Sequence, residues 1–151
     1  MNQSREREII DAILARAAEE VGDLTPTVIA RYYRQFPAAR ERFEAHASGD
    51  VPYLEGSMVE GVLFYLMNWV QEPAVTEIAL SDTASHHLDT LGIDPVLFLG
   101  LLDVVHVVIA ETIPASSQEE RMVWNEVQQK LHTICATAWA ISRSHPSFRP
   151  H

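Results

Sequence analysis

The stretch that decides how this sequence is interpreted is ASHHLDTLGIDP, residues 84–95. It contains two adjacent histidines, followed by a glycine and an Asp-Pro pair. Because neighbouring residues of a helix are about 100° apart, His86 and His87 cannot face the same side. The neighbours of His86 at helical spacing are polar, whereas the stripe that includes His87 is otherwise apolar. We therefore predict that His87 points into the core and His86 toward water.

A buried histidine at position 87 has two interpretations. In the first it is a core residue whose ring bonds to a backbone carbonyl, which is the commoner use of such a residue. In the second, one ring nitrogen binds a metal or haem iron while a carbonyl or Ser85 orients the other nitrogen. The direction of the side chain is the same in both, so the rest of the chain has to distinguish them.

The composition bounds the class of protein. The chain has 151 residues, a length typical of one domain spanning residues 1–151. It is 47% hydrophobic and 21% charged, which favours a globular protein. The net charge of −10 disfavours nucleic acid and anionic membrane surfaces as partners. The N-terminus lacks a signal-peptide pattern and no apolar run is long enough to span a bilayer, so we expect no membrane partner and a cytoplasmic location.

Apolar residues recur at helical spacing along most of the chain, and no sustained alternation indicates a strand. The predicted helices span about 4–21, 25–35, 51–70, 79–91, 95–112 and 117–143, with a short helical turn before Phe43. Asp94-Pro95 is a typical helix start, and Ser117 and Glu120 fit a capping box. The sequence therefore predicts an all-α domain of six to eight helices with a frayed tail at about 144–151.

The order and spacing of several motifs resemble those of globins. Phe36-Pro37 is similar to the pair that often ends the second globin helix, and Phe43 to the phenylalanine that packs on the haem. His87 is similar to the proximal histidine near the end of the sixth helix. Ile93 and Phe98 stand where globins carry a residue at the haem edge and an aromatic in the next helix. The resemblance therefore implies the globin fold.

The resemblance extends over most of the chain, from Leu24 to about Trp139. It implies a haem b cofactor whose iron is bound by His87, and a diatomic gas (O₂, NO or CO) as the ligand. A haem needs an apolar slot with few polar groups. The residues that would form this slot are Phe43, Leu54, Met58, Val62, His87, Leu91, Ile93, Phe98 and Leu101. An ordinary core would use the same residue types.

The distal side departs from the usual globin pattern. Oxygen-binding globins usually place a His, Gln or Tyr there, but two alignments put either Leu54 or Met58 at this position. Tyr53 begins the distal helix, and the sequence assigns it no role. A hydrogen bond to bound O₂ in a low-dielectric pocket is worth about 1–3 kcal/mol. An apolar distal side therefore favours sensing, or NO and CO handling, over oxygen storage.

Two other functions stay open. One is a haem-free regulatory module of the globin fold that binds another apolar ligand or a protein partner. Thr83, at a position where globins usually carry Leu or Ile, favours this alternative. The other is an enzyme, which is less favoured because the chain lacks a nucleophile pattern and a Gly-rich nucleotide loop.

The helix that begins at Pro95 is apolar around almost its whole circumference. Such a helix is either fully buried or half-covered by a partner. In sensor-type globins the last two helices form a dimer through a four-helix bundle. We therefore predict a homodimer through the last two helices.

Overall fold

The computed structural model describes residues 2–144, and this part of the chain forms seven helices and no strand. The helices are α1 (Gln3–Val21), α2 (Thr25–Gln35), α3 (Ala38–His46), α4 (Val51–Asn68), α5 (Pro73–Asp89), α6 (Pro95–Ala110) and α7 (Gln118–Ser144). The prediction of an all-α chain with six to eight helices is confirmed for these residues. The predicted frayed tail lies outside them, except for Ser144. None of the described helices is both long and apolar enough to cross a membrane.

Most helix boundaries follow local capping signals. The carboxylates of Asp50 and Asp94 accept hydrogen bonds from backbone N–H groups in the first turns of α4 and α6, and a proline occupies an early position of each helix. The largest error concerns α5, whose predicted start near Ala79 is six residues later than the start in the structure. The pattern assigns Pro73 to the end of α4, but it opens α5, where the missing proline N–H costs nothing.

One hydrophobic cluster contains buried side chains from all seven helices, and α6 lies at its centre. α6 packs against α2, α4 and α7 and buries most of residues 100–109. Gly100 permits the close crossing with α2, because a Cβ atom there would lie 2.7 Å from the ring of Phe36. The apolar circumference of α6 is therefore largely used within a single chain, and Val96 and Val107 are its exposed large apolar residues.

Two buried rings join α6 to α7. His106 and Trp124 stack with their centroids 5.1 Å apart and their planes 7° from parallel. Nε2 of His106 donates to the carbonyl of Trp124 at 2.9 Å, and the indole N–H of Trp124 donates to the carbonyl of His106 at 3.0 Å. Burial lowers the pKa of His106, so its ring is neutral at pH 7. This reciprocal pair fixes the position of one helix on the other.

The corner after α5 places His87 opposite α6. Gly92 has a φ of +64°, and the N–H of Ile93 donates to the carbonyl of His87 at 2.8 Å, which closes the end of the helix. α6 then begins at Pro95, and its first turn contains Phe98. The rings of His87 and Phe98 are 5.0 Å apart. Residues 84–95 therefore bring the last turn of α5 against the first turn of α6.

Candidate functional site

The two adjacent histidines face different environments. His86 is exposed, whereas His87 is half-buried. Leu80 and Ala84, which share the stripe of His87, are completely buried. The prediction that His87 faces inward and His86 outward is confirmed.

The ring of His87 is held by one hydrogen bond. Nδ1 lies 2.8 Å from the backbone carbonyl oxygen of Thr83, one turn earlier in α5. Because a carbonyl can only accept, Nδ1 carries the proton and Nε2 keeps its lone pair. Within residues 2–144, Nε2 forms no hydrogen bond. Burial lowers the pKa of His87, so the ring is neutral at pH 7 and Nε2 is free to act as a ligand atom.

His87 lies between two apolar pockets. The larger pocket has a volume of about 160 Å³ and lies between α4, α5 and α6. The smaller pocket has a volume of about 70 Å³ and is bounded by α2, α3, α4 and the corner between α5 and α6. Met58, His87 and Leu101 line both pockets. These three side chains therefore separate two adjoining apolar spaces.

The structure brings all nine residues of the predicted slot to these pockets. Val62 and Phe98 line the larger one, while Phe43, Leu54, Leu91 and Ile93 line the smaller one, and the remaining three line both. Of the two alternatives for the distal position, Leu54 reaches only the smaller pocket, whereas Met58 shares both pockets with His87. The apolar residues that the sequence grouped together are therefore neighbours in space.

Several polar residues that the sequence analysis did not place in the slot also line the pockets. Arg42 and His46, both exposed, lie at the edge of the smaller pocket. Ser57, Tyr65 and Thr83 line the larger pocket. Two of them had a sequence signal: Thr83 is polar at a position where globins usually carry an apolar residue, and Tyr65 follows Met58 and Val62 at helical spacing. The others depend on how α3 ends and on how α4 crosses α5.

Tyr65 and Thr83 form a hydrogen-bonded link between α4 and α5. The phenol of Tyr65 donates to Oγ1 of Thr83 at 2.8 Å, and the hydroxyl of Thr83 donates to the carbonyl of Ala79 at 2.8 Å. Burial raises the pKa of Tyr65, so the phenol stays protonated. Since the carbonyl of Thr83 also holds His87, the link ends at the residue that orients the histidine ring.

The other phenols near the pockets are not available to a ligand. Tyr53 is 73% exposed and does not line either pocket. Tyr32 lines the smaller pocket, but its O–H donates to the carbonyl of Leu97 at 2.6 Å. The space around Met58 therefore receives no free phenol donor from Tyr32, Tyr53 or Tyr65.

The unbonded Nε2 of His87 is a suitable ligand atom for a haem iron, provided that the volume of the pockets is large enough. Ligand pockets commonly enclose about 300–1,000 Å³, and the larger pocket is close to the engineered cavity of about 150 Å³ that binds benzene. A macrocycle would fill both pockets at once, which requires the side chains of Met58 and Leu101 to move apart. Methionine adapts readily to such a change because it is unbranched and has three rotatable bonds. Even joined, the two pockets enclose less than the lower end of this range, so a haem fits only if the helices around them also separate.

Within residues 2–144, the other reactive side chains do not form a second centre. Asp103 accepts a hydrogen bond from Gln128 at 2.9 Å and pairs with Nε2 of His132 at 2.5 Å. Cys135 is buried, and burial raises the pKa of its thiol to about 12, which makes it unreactive at neutral pH. In the part of the chain that the structure describes, no group of three or more His, Cys, Asp and Glu residues is arranged to hold a metal ion.

Comparisons with known proteins do not assign the chain to a family. No protein-family model matches it, and no curated protein has a significantly similar sequence. What the chain does is therefore inferred from the geometry around His87.

Proposed function

We propose that this chain is a haem-binding globin that binds a diatomic gas, with His87 as the proximal ligand of the iron. One observation carries the proposal: His87 is neutral, its Nδ1 is held by the carbonyl of Thr83, and its unbonded Nε2 belongs to a ring that lines both apolar pockets. Metal-binding histidines use this kind of second hydrogen bond to fix their tautomer and orientation. Haem b bound there would supply an iron with an open position for O₂, NO or CO.

The side chains around His87 support the rest of the slot. Phe98 packs edge-on against the His87 ring and is itself packed against Trp139 at 5.7 Å, which limits rotation of the histidine. Arg42, at the exposed edge of the smaller pocket, suits the carboxylates that a haem carries. His46 lies at the same edge. The apolar walls between Phe98 and the exposed edge at Arg42 would keep water from Nε2 of His87.

The helix order also supports the proposed globin architecture. A short α3 follows Phe36-Pro37, and His87 lies in the last turn of a helix that ends at a tight corner. The globin fold has eight helices, whereas the described part of this chain has seven, and His87 lies on the fifth rather than the sixth. A globin without the short helix between α3 and α4 would show both differences.

The pocket walls favour gas sensing, or NO and CO handling, as the role of the ligand. Leu54, Met58 and Val62 offer no hydrogen-bond donor, and the phenols of Tyr32 and Tyr65 are bonded elsewhere. Bound O₂ would receive from these side chains no stabilising hydrogen bond, which is worth about 1–3 kcal/mol. CO and NO depend less on such a bond, so the proposal puts them before O₂ storage.

Reconstitution of the purified chain with haemin tests this function. We expect a sharp Soret band at one haem per chain, which is lost or shifted in His87→Ala. The matched control is His86→Ala, because His86 is adjacent in sequence but exposed, and this variant should keep the wild-type band. No Soret band in the wild type would overturn the proposal, and equal effects of the two substitutions would overturn His87 as the ligand.

A haem-free regulatory module is the second candidate, and the larger pocket supports it. The Tyr65–Thr83 link holds α4 and α5 together across a space of about 160 Å³, which suits a small apolar molecule better than a macrocycle. In this case haemin gives no Soret band, and a compound such as benzene raises the melting temperature instead. The two candidates therefore give opposite results in the same preparation.

We also propose that the chain works as a cytoplasmic homodimer that pairs through α6 and α7, without nucleic acid as a partner. α7 exposes Met122 and Ile141, and α6 exposes Val107. The small residues Ala136 and Ala140 are also exposed on α7, which permits close approach of a second helix. The single buried cysteine suits a reducing compartment, and the net charge of −10 disfavours nucleic acid.

A further inference from the structure

Four exposed large apolar side chains lie within residues 64–78, on either side of the turn between α4 and α5. Phe64 and Met67, on the last two turns of α4, are 45% and 49% exposed, and Val75 and Ile78, on the first two turns of α5, are 52% and 65% exposed. The other exposed large apolar residues of the described chain are spread along α4, α6 and α7. Exposed apolar residues grouped in this way are typical of interaction sites. These four residues are termed the corner face.

The corner face lies in a part of the chain that has no cationic Lys or Arg side chain. All 11 Lys and Arg residues lie outside residues 43–120, whereas more than half of the 21 Asp and Glu residues lie inside this range. The acidic residues on the exposed sides of the two helices are Glu60, Glu72, Glu77 and Asp82. None of these four forms an ion pair within residues 2–144. The acidic side chains that α4, α5 and the turn between them place beside the corner face therefore have no Lys or Arg neighbour within these elements.

A second copy of this chain does not suit the corner face. Two such faces in contact would bring like charges together, which costs free energy. The basic residues of the described chain lie on α1, α2, α3 and α7. A second copy would have to present one of those helices to the corner face, and such a head-to-tail contact does not close into a dimer. Charge complementarity instead favours a different, basic partner.

We propose that the corner face docks a partner protein through a basic amphipathic helix, with apolar residues on one side and Lys or Arg beside them. The apolar stripe of that helix would cover Phe64, Met67, Val75 and Ile78, while its cations would face Glu72 and the other carboxylates. Burial of the apolar stripe supplies most of the affinity. The opposite charges speed association and exclude acidic partners.

A partner docked at this corner would also affect the candidate site, because α4 and α5 carry both the corner face and part of the site. α4 carries Met58 and Tyr65, α5 carries Thr83 and His87, and the Tyr65–Thr83 hydrogen bond joins the two helices. A partner helix that contacts both α4 and α5 would hold these two helices at one fixed distance from each other. The link to gas binding rests on the proposed function, but docking itself does not require haem, so its test is independent of the Soret band.

A labelled model peptide tests the docking. The probe is a Leu/Lys peptide of about 18 residues, patterned so that a helix would have one apolar face, and fluorescence anisotropy measures its binding to the full chain. We expect saturable one-to-one binding that the double variant Met67→Ser/Ile78→Ser weakens at least tenfold, the scale typical of central interface residues (roughly tenfold or more). The matched control is Tyr53→Ser at the other end of α4, because Tyr53 is 73% exposed and lies about three helical turns from Phe64, and it should bind as the wild type does.

Three results would overturn the docking proposal. The first is equal affinity for a peptide of the same composition in scrambled order, since that indicates charge attraction alone. The second is unchanged binding by the double variant, whose folding is checked by far-UV circular dichroism. The third is a wild-type oligomer that the double variant dissociates without any peptide, because a second copy would then be the occupant. The variant Glu72→Gln/Glu77→Gln should also bind more weakly, with a shallower dependence on salt.

Discussion

His87 donates its Nδ1 proton to the carbonyl oxygen of Thr83, and this hydrogen bond suits both a core histidine and a ligand histidine. For that reason no property of position 87 in the sequence separates the two interpretations. What the structure adds is the surroundings of the second nitrogen: an unbonded Nε2 in a neutral ring between two apolar pockets. At the scale of one residue, the ligand interpretation therefore depends on what surrounds the ring.

Acid should destabilise the fold partly through His87. Burial lowers the pKa of this residue in the folded chain, so the unfolded chain takes up a proton first as the pH falls. The stabilisation from the neutral ring is complete above the unfolded-state pKa of about 6.5 and is lost as the pH falls toward the folded pKa. We expect the free energy of unfolding to decrease with acidification below about pH 6.5, and to decrease less steeply in His87→Gln. Urea denaturation across this pH range measures the slope.

The control for this prediction is the neighbouring exposed residue. His86→Gln removes a histidine without removing a buried ring, so it should keep the wild-type slope. His106, whose pKa is also lowered by burial, leaves part of the slope in every variant. A slope in His87→Gln that equals the wild-type slope would contradict the neutral, buried state of His87.

At the scale of the helices, local signals predicted most boundaries and failed where two signals compete. α2 spans residues 25–35 as predicted, and Asp94 caps α6 as predicted. Pro73 both ends one periodic segment and opens the next, and the weak amphipathic pattern after it hid the first turns of α5. The apolar slot was predictable because its residues follow helical spacing. Arg42 was not, because its place at the smaller pocket depends on how the helices cross.

The stacked pair of His106 and Trp124 should couple α6 to α7 energetically. Trp124→Phe leaves the buried carbonyl of His106 without its donor, which should cost about 1–3 kcal/mol of stability. His106→Phe should cost a similar amount, and a double-mutant cycle should give a coupling of about 0.5–3 kcal/mol. Urea denaturation of the wild type, both single variants and the double variant measures these values.

Trp139 provides the matched control for this coupling. Its indole N–H donates to the carbonyl of Ala84 at 3.0 Å, so it is also a buried, bonded tryptophan of α7. It lies four turns beyond Trp124, roughly 22 Å along the helix, and shares no partner with His106. The effects of Trp139→Phe and His106→Phe should therefore add to within about 0.5 kcal/mol. Additivity in the Trp124 cycle as well would contradict the role of the stacked pair.

At the scale of the whole molecule, most large apolar residues pack in the core, and a smaller set lies on the surface. α6 buries most of its apolar surface within one chain, against α2, α4 and α7. Its apolar composition therefore does not by itself require a partner chain. Six of the nine exposed large apolar residues of the described chain lie at the corner face or on α7. These two surfaces differ in chemistry: the helices of the first carry Asp and Glu but no Lys or Arg, while the second includes small residues and the basic Lys130. Each surface therefore predicts a different kind of contact.

The exposed face of α7 predicts a dimer of two identical chains. Met122, Gln129 and Ala136 lie on one side of this helix at seven-residue spacing, and all three are exposed. A self-complementary contact there buries Met122 and needs a small residue at position 136. Ala136→Arg inserts a long cation that would meet its own copy, so it should halve the particle mass. Light scattering at micromolar concentration should give twice the chain mass of 17.0 kDa for the wild type.

Ile78→Ser gives the control for the dimer, because it alters the corner face and leaves α7 intact. It should scatter as the wild type does, since the two surfaces lie on different helices. A wild-type mass of one chain at micromolar concentration would contradict the dimer, and α7 would then be an ordinary solvated face. Loss of the dimer in Ile78→Ser but not in Ala136→Arg would move the contact to the corner face, and the docking proposal would fail with it. The two variants therefore assign each exposed apolar surface to its own contact.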